Sequence, residues 1–209
     1  MKRLLHVNAS PRGARSRSGT VGAQFLAALH KARPGLEVET LDLFDIDLPD
    51  FGAAAIEGRY HLLMGEAVDP EQAQAWTEIR NWGEHFLGFD GWLFTVPMWN
   101  FGLPYKLKHY VDILTHPGVT FTNDATGQVT GLAAGRTAIV LAASAMPIEA
   151  GGPLSALDFQ LAYLQTWLGF IGVTDIRSLR IAPTFGDPQA VERVMVQAGL
   201  EAERLAQQV

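Results

Sequence analysis

Gly91-Trp92-Leu93-Phe94-Thr95-Val96 runs directly into Pro97-Met98-Trp99-Asn100-Phe101-Gly102-Leu103-Pro104, and the segment from Pro104 to Leu114 reads as a helix. A short apolar run of strand length, broken by prolines and continued by a helix, is a strand–loop–helix unit whose strand is buried. The same unit recurs on either side. Arg3 to Asn8 is an apolar strand that ends in a Ser/Pro/Gly/Arg-rich loop. Val21 to Lys31, with Val21, Phe25 and Leu29 in helical spacing, follows as a helix that stops before Pro34-Gly35.

Glu37 to Leu43 alternates as a second strand, and residues 50 to 68, lacking a steady period, predict a loop with a short helix. Pro70 to Phe86 predicts a helix with its proline at the start. Residues 118 to 131 carry turn punctuation and predict an extended excursion or hairpin. Thr137 to Ala143 is a nearly continuous apolar strand, as expected when both faces are covered. Ala156 to Phe170 predicts a helix, Val173 to Leu179 a fifth strand, and Pro188 to Gln207 a closing amphipathic helix. Five strands separated by helices imply right-handed crossovers and a doubly wound parallel sheet in a three-layer α/β/α arrangement. With no repeat and no linker, residues 1–209 are expected to form a single domain. In such folds ligands bind outside the carboxyl ends of the strands, so chemistry belongs in the loops after the first, third and fourth strands.

The composition suits an ordinary globular protein, with 48% hydrophobic and 18% charged residues. A net charge of −6 argues against sequence-independent nucleic-acid binding, which needs a basic face. There are no cysteines, which excludes disulfides and thiolate chemistry and fits a reducing compartment. The apolar strip after Met1-Lys2-Arg3 is too short for a signal-peptide core, and no run has membrane-spanning length; a cytoplasmic location and no membrane partner are expected.

The loop Asn8-Ala9-Ser10-Pro11-Arg12-Gly13-Ala14-Arg15-Ser16-Arg17-Ser18-Gly19-Thr20 lies ahead of the first helix. Hydroxyls and unpaired helix N–H groups suit a phosphate, with Ser10, Ser16 and Ser18 as donors and Arg17 or Arg12 adding charge. Serine ahead of a helix serves equally well as a plain cap. Three arginines in one short loop tilt the balance to an anion site. Neither a dinucleotide glycine triplet nor a triphosphate loop is present, which favours a terminal monophosphate such as that of FMN.

In the loop after the third strand, prolines stiffen both ends and Gly102 is expected to let the backbone turn tightly or approach a ligand closely. Met98, Trp99 and Phe101 are apolar walls and Asn100 an amide, which suits a flat heteroaromatic ring; core filler is the plainer use of the same residues. Three large apolar side chains in a surface loop call for cover by a cofactor, a second subunit or both.

Taken in order, Ser-Pro-Arg with Ser-x-Ser, Pro97 to Pro104 before Leu107-Lys108-His109-Tyr110, Pro117-Gly118-Val119-Thr120-Phe121, and Leu168-Gly169-Phe170-Ile171-Gly172-Val173-Thr174-Asp175 resemble the FMN-dependent NADH-azoreductase and NADH:quinone oxidoreductase family. The resemblance covers nearly the whole chain. It implies a flavodoxin-like fold, bound FMN, NADH or NADPH as donor, and two-electron transfer to quinones or azo compounds by a ping-pong route. It also implies a homodimer with sites at the interface. It places Ser10, Ser16, Arg17 and Ser18 at the FMN phosphate, Pro97, Met98, Trp99, Asn100 and Phe101 along the isoalloxazine, Ser144 near its pyrimidine end, and Phe121 in the substrate pocket. Tyr60, in an apolar loop needing cover, is assigned to the same pocket.

One departure stands out: members often follow the serine closely with a Gly-Gly pair, whereas here the glycines arrive at Gly151-Gly152. The alternative reading is a flavodoxin-like FMN electron carrier with no substrate of its own. A hydrolase would need a nucleophile and base in an order that is not found. The histidines offer no convincing metal-ligand spacing, so no metal is expected. His6 is read as a satisfied core residue, His116 as an exposed loop residue, and Asp42, Asp45, Asp47 and Asp50 as a solvated turn. No protein acid or base is required, since solvent can supply protons, and no catalytic residue is assigned.

Overall fold

The computed structural model describes residues 1–148 and 150–209. Its centre is a parallel sheet of β1 (Arg3–Asn8), β2 (Glu37–Asp42), β3 (Gly91–Pro97), β6 (Thr137–Ala143) and β7 (Asp175–Ile181), in the spatial order β2-β1-β3-β6-β7. Every neighbouring pair is parallel. The order reverses between β1 and β3, the switch point at which two loops diverge to opposite sides and leave a crevice. The three inner strands are almost wholly buried, which explains why apolar residues dominate them, with His6 and Thr95 as the buried polar exceptions; the edge strands β2 and β7 carry charged residues that discourage pairing with another sheet.

Helices α1 (Arg17–Ala32) and α6 (Pro188–Ala206) cover one face, burying Val21, Phe25, Leu29, Ala198 and Ala202 against Leu4, Leu93, Ile139 and Leu141. On the other face α3 (Pro70–Leu87), α4 (Tyr105–Leu114) and α5 (Phe159–Phe170) enclose Phe86, Trp92, Phe94, Tyr110 and Trp167. Phe86 and Trp92 stack at 4.4 Å with planes 10° apart.

Several boundaries differ from expectation. The first helix begins at Arg17, four residues before Val21, because the Ser16 side chain accepts the Gly19 N–H and caps it. Residues 53–64 form a full helix, α2 (Ala53–Met64), ended by Gly65 at φ 70°. Its inner face is held by Ala55 and Gly58, small residues that give no apolar period; Trp76 Nε1 donates to Ala55 O at 2.8 Å. The helix expected from Ala156 starts at Phe159, where Asp158 caps it by accepting Leu161 N–H. The fifth sheet strand runs Asp175–Ile181 rather than Val173–Leu179, since Val173 is spent in the turn that follows α5.

The 118–131 excursion is an antiparallel hairpin, β4 (Phe121–Asn123) with β5 (Val129–Gly131). Gly131 lies flat on the end of α5: a Cβ there would sit 2.1 Å from the Ile171 carbonyl carbon.

Candidate functional site

The loops after β1 and β3 leave adjacent strands and stay side by side, joined by Ala9 N–H donating to Thr95 O at 3.0 Å. Ser16 and Ser18 are brought together at the start of α1, Ser10 lies earlier in the same loop, and all three are buried. Ser16 Oγ accepts from Gly19 N at 3.0 Å and lies 3.3 Å from Ser18 Oγ. Ser16 is thus both cap and potential donor, since its own proton is free to point outward. Ser10 Oγ is buried with no hydrogen-bond partner. An orphaned buried hydroxyl costs free energy, and a ligand oxygen at the mouth of the helix would relieve it. Arg12 and Arg17 are exposed at the rim. Arg17 also borders a cavity of about 340 Å³ with Thr184, Phe185 and Glu192.

The loop after β3 is held at its base by Met98 N–H donating to Ala143 O at 2.7 Å. Trp99 and Gly102 then exchange both backbone hydrogen bonds, which closes a two-residue turn whose central residues are Asn100 at φ 47° and Phe101 at φ 69°. Of the two uses expected of Gly102, the tight turn falls instead to its neighbours Asn100 and Phe101. A left-handed asparagine is ordinary, but a left-handed phenylalanine is strained, and such strain concentrates at ligand sites. The turn presents Trp99 and Phe101, both well exposed, to the outside. Trp99 is backed by Phe44 at 5.7 Å and by Tyr105 at 6.2 Å between ring centres. Pro97 and Met98 are half-buried at the crevice. Exposed rings held on a rigid, strained turn are not core filler; they form one apolar wall.

Ser144 is buried at the end of β6, with its N–H donating to Ile181 O and its hydroxyl to Met146 O at 2.7 Å. That hydroxyl is therefore spent on its own turn, and Ser144 can offer a ligand its surroundings more readily than its proton. Glu149, further along this loop, lies outside the described residues. Phe121 is buried beneath the hairpin, edge-on to Phe170 at 4.9 Å. Tyr60 stands exposed on α2.

Two residues set aside on sequence have different surroundings from those expected. His116 is buried, not exposed: it is wedged between Phe51 and Trp76 at 4.9 and 5.0 Å, and burial, with a smaller push from Arg59, lowers its pKa to about 4. Asp42 is not a solvated turn residue; it accepts from Asn8 Nδ2 at 2.7 Å and from Phe44 N–H at 3.1 Å. His6 is a satisfied core residue as expected, and burial holds its imidazole down at about 4 against a weaker opposing pull from Asp42. Asp158 pairs with Arg180, whose other nitrogen donates to Gln160; Gln160 in turn donates to Val96 O at 3.0 Å and braces the end of β3.

A cavity of about 600 Å³ between β2 and α3 is lined by Glu39, Asp47, Glu78, Trp82 and His85. It touches neither loop and offers carboxylates where a phosphate needs donors, so chemistry places the site elsewhere. Among the described residues no group of three or more His, Cys, Asp or Glu is placed to hold a metal, and no helix is long and apolar enough to cross a membrane.

A doubly wound sheet with a hydroxyl-lined helix mouth beside a strained aromatic turn at its switch point defines a flavodoxin-like protein. The sequence profile of the flavodoxin-like fold matches residues 2–205, and the chain belongs to that family. Within it, the chain is 40% identical over 209 residues to the FMN-dependent NADH:quinone oxidoreductase of Desulfotalea psychrophila, covering 100% of this chain and 98% of that protein. It is 41% identical over 207 residues to the protein of the same name from Nitratidesulfovibrio vulgaris, covering 99% of each. The crystal structure of an azoreductase from Bacillus anthracis superposes with a TM-score of 0.90 at 27% identity, over the full length of both chains.

Proposed function

We propose that this chain, acting as one domain over residues 1–209, is an FMN-dependent oxidoreductase that takes two electrons from NADH or NADPH and delivers them to a quinone or an azo compound. The observation that carries this reading is the pairing of the orphaned Ser10 hydroxyl, at the mouth of α1, with the strained Trp99–Gly102 turn one strand away. The first is a place for a terminal phosphate and the second a wall for a flat ring, as FMN requires. The relatives' names support the same cofactor, donor and acceptor.

Bound FMN would supply the redox chemistry, taking hydride from the nicotinamide and passing two electrons to the acceptor. The protein's part is placement. Ser10, Ser16 and Ser18 donate to the phosphate, aided by the unpaired N–H groups and dipole of α1 and by the charge of Arg12 and Arg17. Pro97 to Phe101 would line the ring and exclude water from one side, and Ser144 would stand towards its polar end. Donor and acceptor would occupy the remaining face in turn, which gives a ping-pong cycle.

The exposed apolar residues Ile56, Tyr60, Leu62, Leu63 and Met64 on α2, with Tyr105 on α4, support a homodimer in which a second copy covers this face and completes the pocket to which Tyr60 and Phe121 are assigned. A cytoplasmic location completes the reading and is supported by the absence of cysteine. The test is a visible spectrum of the purified protein followed by titration with NADH and then a quinone. Bleaching of a flavin band and its return on adding quinone are expected. A colourless protein that gains nothing from added FMN overturns the proposal, and a flavin that NADH and NADPH both leave oxidised makes the chain an electron carrier.

A further inference from the structure

Beneath the two loops, the carboxyl halves of β1, β2 and β3 share a chain of polar side chains that packing alone does not call for. Thr40 Oγ1 lies 3.4 Å from His6 Nδ1, and His6 Nε2 lies 3.0 Å from Thr95 Oγ1. The Thr95 hydroxyl donates to Asn8 Oδ1 at 3.1 Å, and Asn8 Nδ2 donates to Asp42 Oδ2 at 2.7 Å. Thr95 is fully buried and His6 nearly so.

The chemistry of the groups fixes the direction of every bond. An ionised carboxylate only accepts, so the Asn8 amide must turn its NH2 to Asp42 and its oxygen the other way. That oxygen also faces the Ser10 backbone N–H at 3.3 Å, a donor that would clash with a flipped amide. The single Thr95 proton therefore goes to Asn8, so Thr95 oxygen must accept from His6, which requires the imidazole proton on Nε2. Nδ1 is then an acceptor for the Thr40 hydroxyl. All four bonds point towards Asp42.

The chain ends on both halves of the site. Asn8 Oδ1 holds Ser10 N–H on the phosphate side. Asp42 Oδ1 holds Phe44 N–H, and the Phe44 ring backs Trp99 on the ring side. Helix α1 is fitted to the same chain, because Gly22 leaves room for Thr95: a Cβ on it would sit 2.5 Å from Thr95 Cγ2.

We propose that Thr40, His6, Thr95, Asn8 and Asp42 form a one-directional relay of positioning residues that sets the spacing between Ser10 and the Phe44–Trp99 pair, with the His6 proton on Nε2. The consequence for cofactor affinity rests on the FMN reading above; the relay itself does not.

Nitrogen-15 NMR of the histidine-labelled protein without added flavin at pH 7.5 is expected to show His6 as the neutral Nε2-protonated tautomer. The Nδ1-protonated form or an imidazolium overturns the relay, and this wild-type measurement decides even should a variant fail to fold. Thr95→Val keeps the shape and removes the hydroxyl, whereas Thr95→Ser keeps the hydroxyl. Thr95→Val is expected to speed Ser10 amide exchange and to weaken FMN binding by about fivefold to tenfold, the loss of about one hydrogen bond; Thr95→Ser restores both. Equal behaviour of the two variants overturns the proposal. If wild-type protein binds no FMN, the functional reading fails while the tautomer and the amide exchange still judge the relay.

Discussion

Trp99 and Gly102 hydrogen-bond each other twice through the backbone, N to O at 3.1 and 2.9 Å, and in doing so hold Phe101 at φ 69°. A side chain there costs of order 1–3 kcal/mol. Phe101 makes little return in packing, being 41% exposed. The cost is best understood as spent on presenting a ring.

Phe101→Gly should therefore leave the flavin-free protein as stable as wild type or slightly more so, while FMN binding weakens by about tenfold. Urea denaturation of the flavin-free protein and a flavin-fluorescence titration measure the two effects separately. A parallel loss of both would return Phe101 to the core.

Ser10 and Ser16 should separate cleanly. Ser16→Ala removes the α1 cap and is expected to cost about 1 kcal/mol of stability as well as FMN affinity. Ser10→Ala removes a buried hydroxyl with no partner, so stability should hold or rise while FMN binding weakens. Thermal melts with and without FMN distinguish the pair; a destabilised flavin-free Ser10→Ala would show that the hydroxyl already has a protein partner.

Gly131→Ala should be severely destabilising, because the new methyl would meet the Ile171–Gly172 backbone at 2.1 to 2.3 Å and backbone cannot swing aside. A loss of several kcal/mol is expected, on the order of the larger overpacking penalties. The denaturation midpoint measures it. Gly127→Ala at the hairpin tip, where a Cβ meets nothing but φ is 83°, should cost much less.

Acid should weaken the fold through two histidines. Burial holds His6 and His116 at about 4 against an ordinary 6.5, so on acidification the unfolded chain takes up protons first. Their effect is absent above pH 6.5, grows as pH falls from 6.5 to 4, and levels off below, reaching roughly 3 kcal/mol for His6 and less for His116, which is screened more by solvent. Urea midpoints at pH 7.5, 6 and 5 should fall accordingly. His116→Phe should flatten the slope, and an unchanged slope would mean that His116 takes up its proton as readily in the folded protein as in the unfolded chain.

The sheet was legible because β1, β3 and β6 are covered on both faces, so β3 and β6 are almost entirely apolar and β1 keeps an apolar centre, and the runs stand out at strand length. A short helix was expected within residues 50–68, but the full extent of α2 was not legible, since its buried contacts are Ala55 and Gly58, whose smallness lets α3 approach but leaves no hydrophobic period. Its exposed Ile56, Leu62, Leu63 and Met64 further blurred the pattern, because they answer to a surface beyond the chain's own core.

The two loops of the candidate site could be found by residue type alone: hydroxyls ahead of a helix and aromatics between prolines are local chemistry. What local chemistry does not carry is direction. That Gly102 is conformationally ordinary while Phe101 is strained follows from a closed pair of backbone bonds. That Ser144 spends its proton on Met146, that His116 is buried, and that Asp42 faces Asn8 instead of solvent are decided by residues distant in sequence or by the turn of the main chain. Sequence by itself determined the alternation of strand and helix and hence which loops lie at the carboxyl ends of the strands. Only the tertiary structure decided which polar atoms remain unpaired there, because a hydrogen bond is settled by which neighbour arrives, and Asn8, Asp42 and Thr95 meet only once three strands lie side by side.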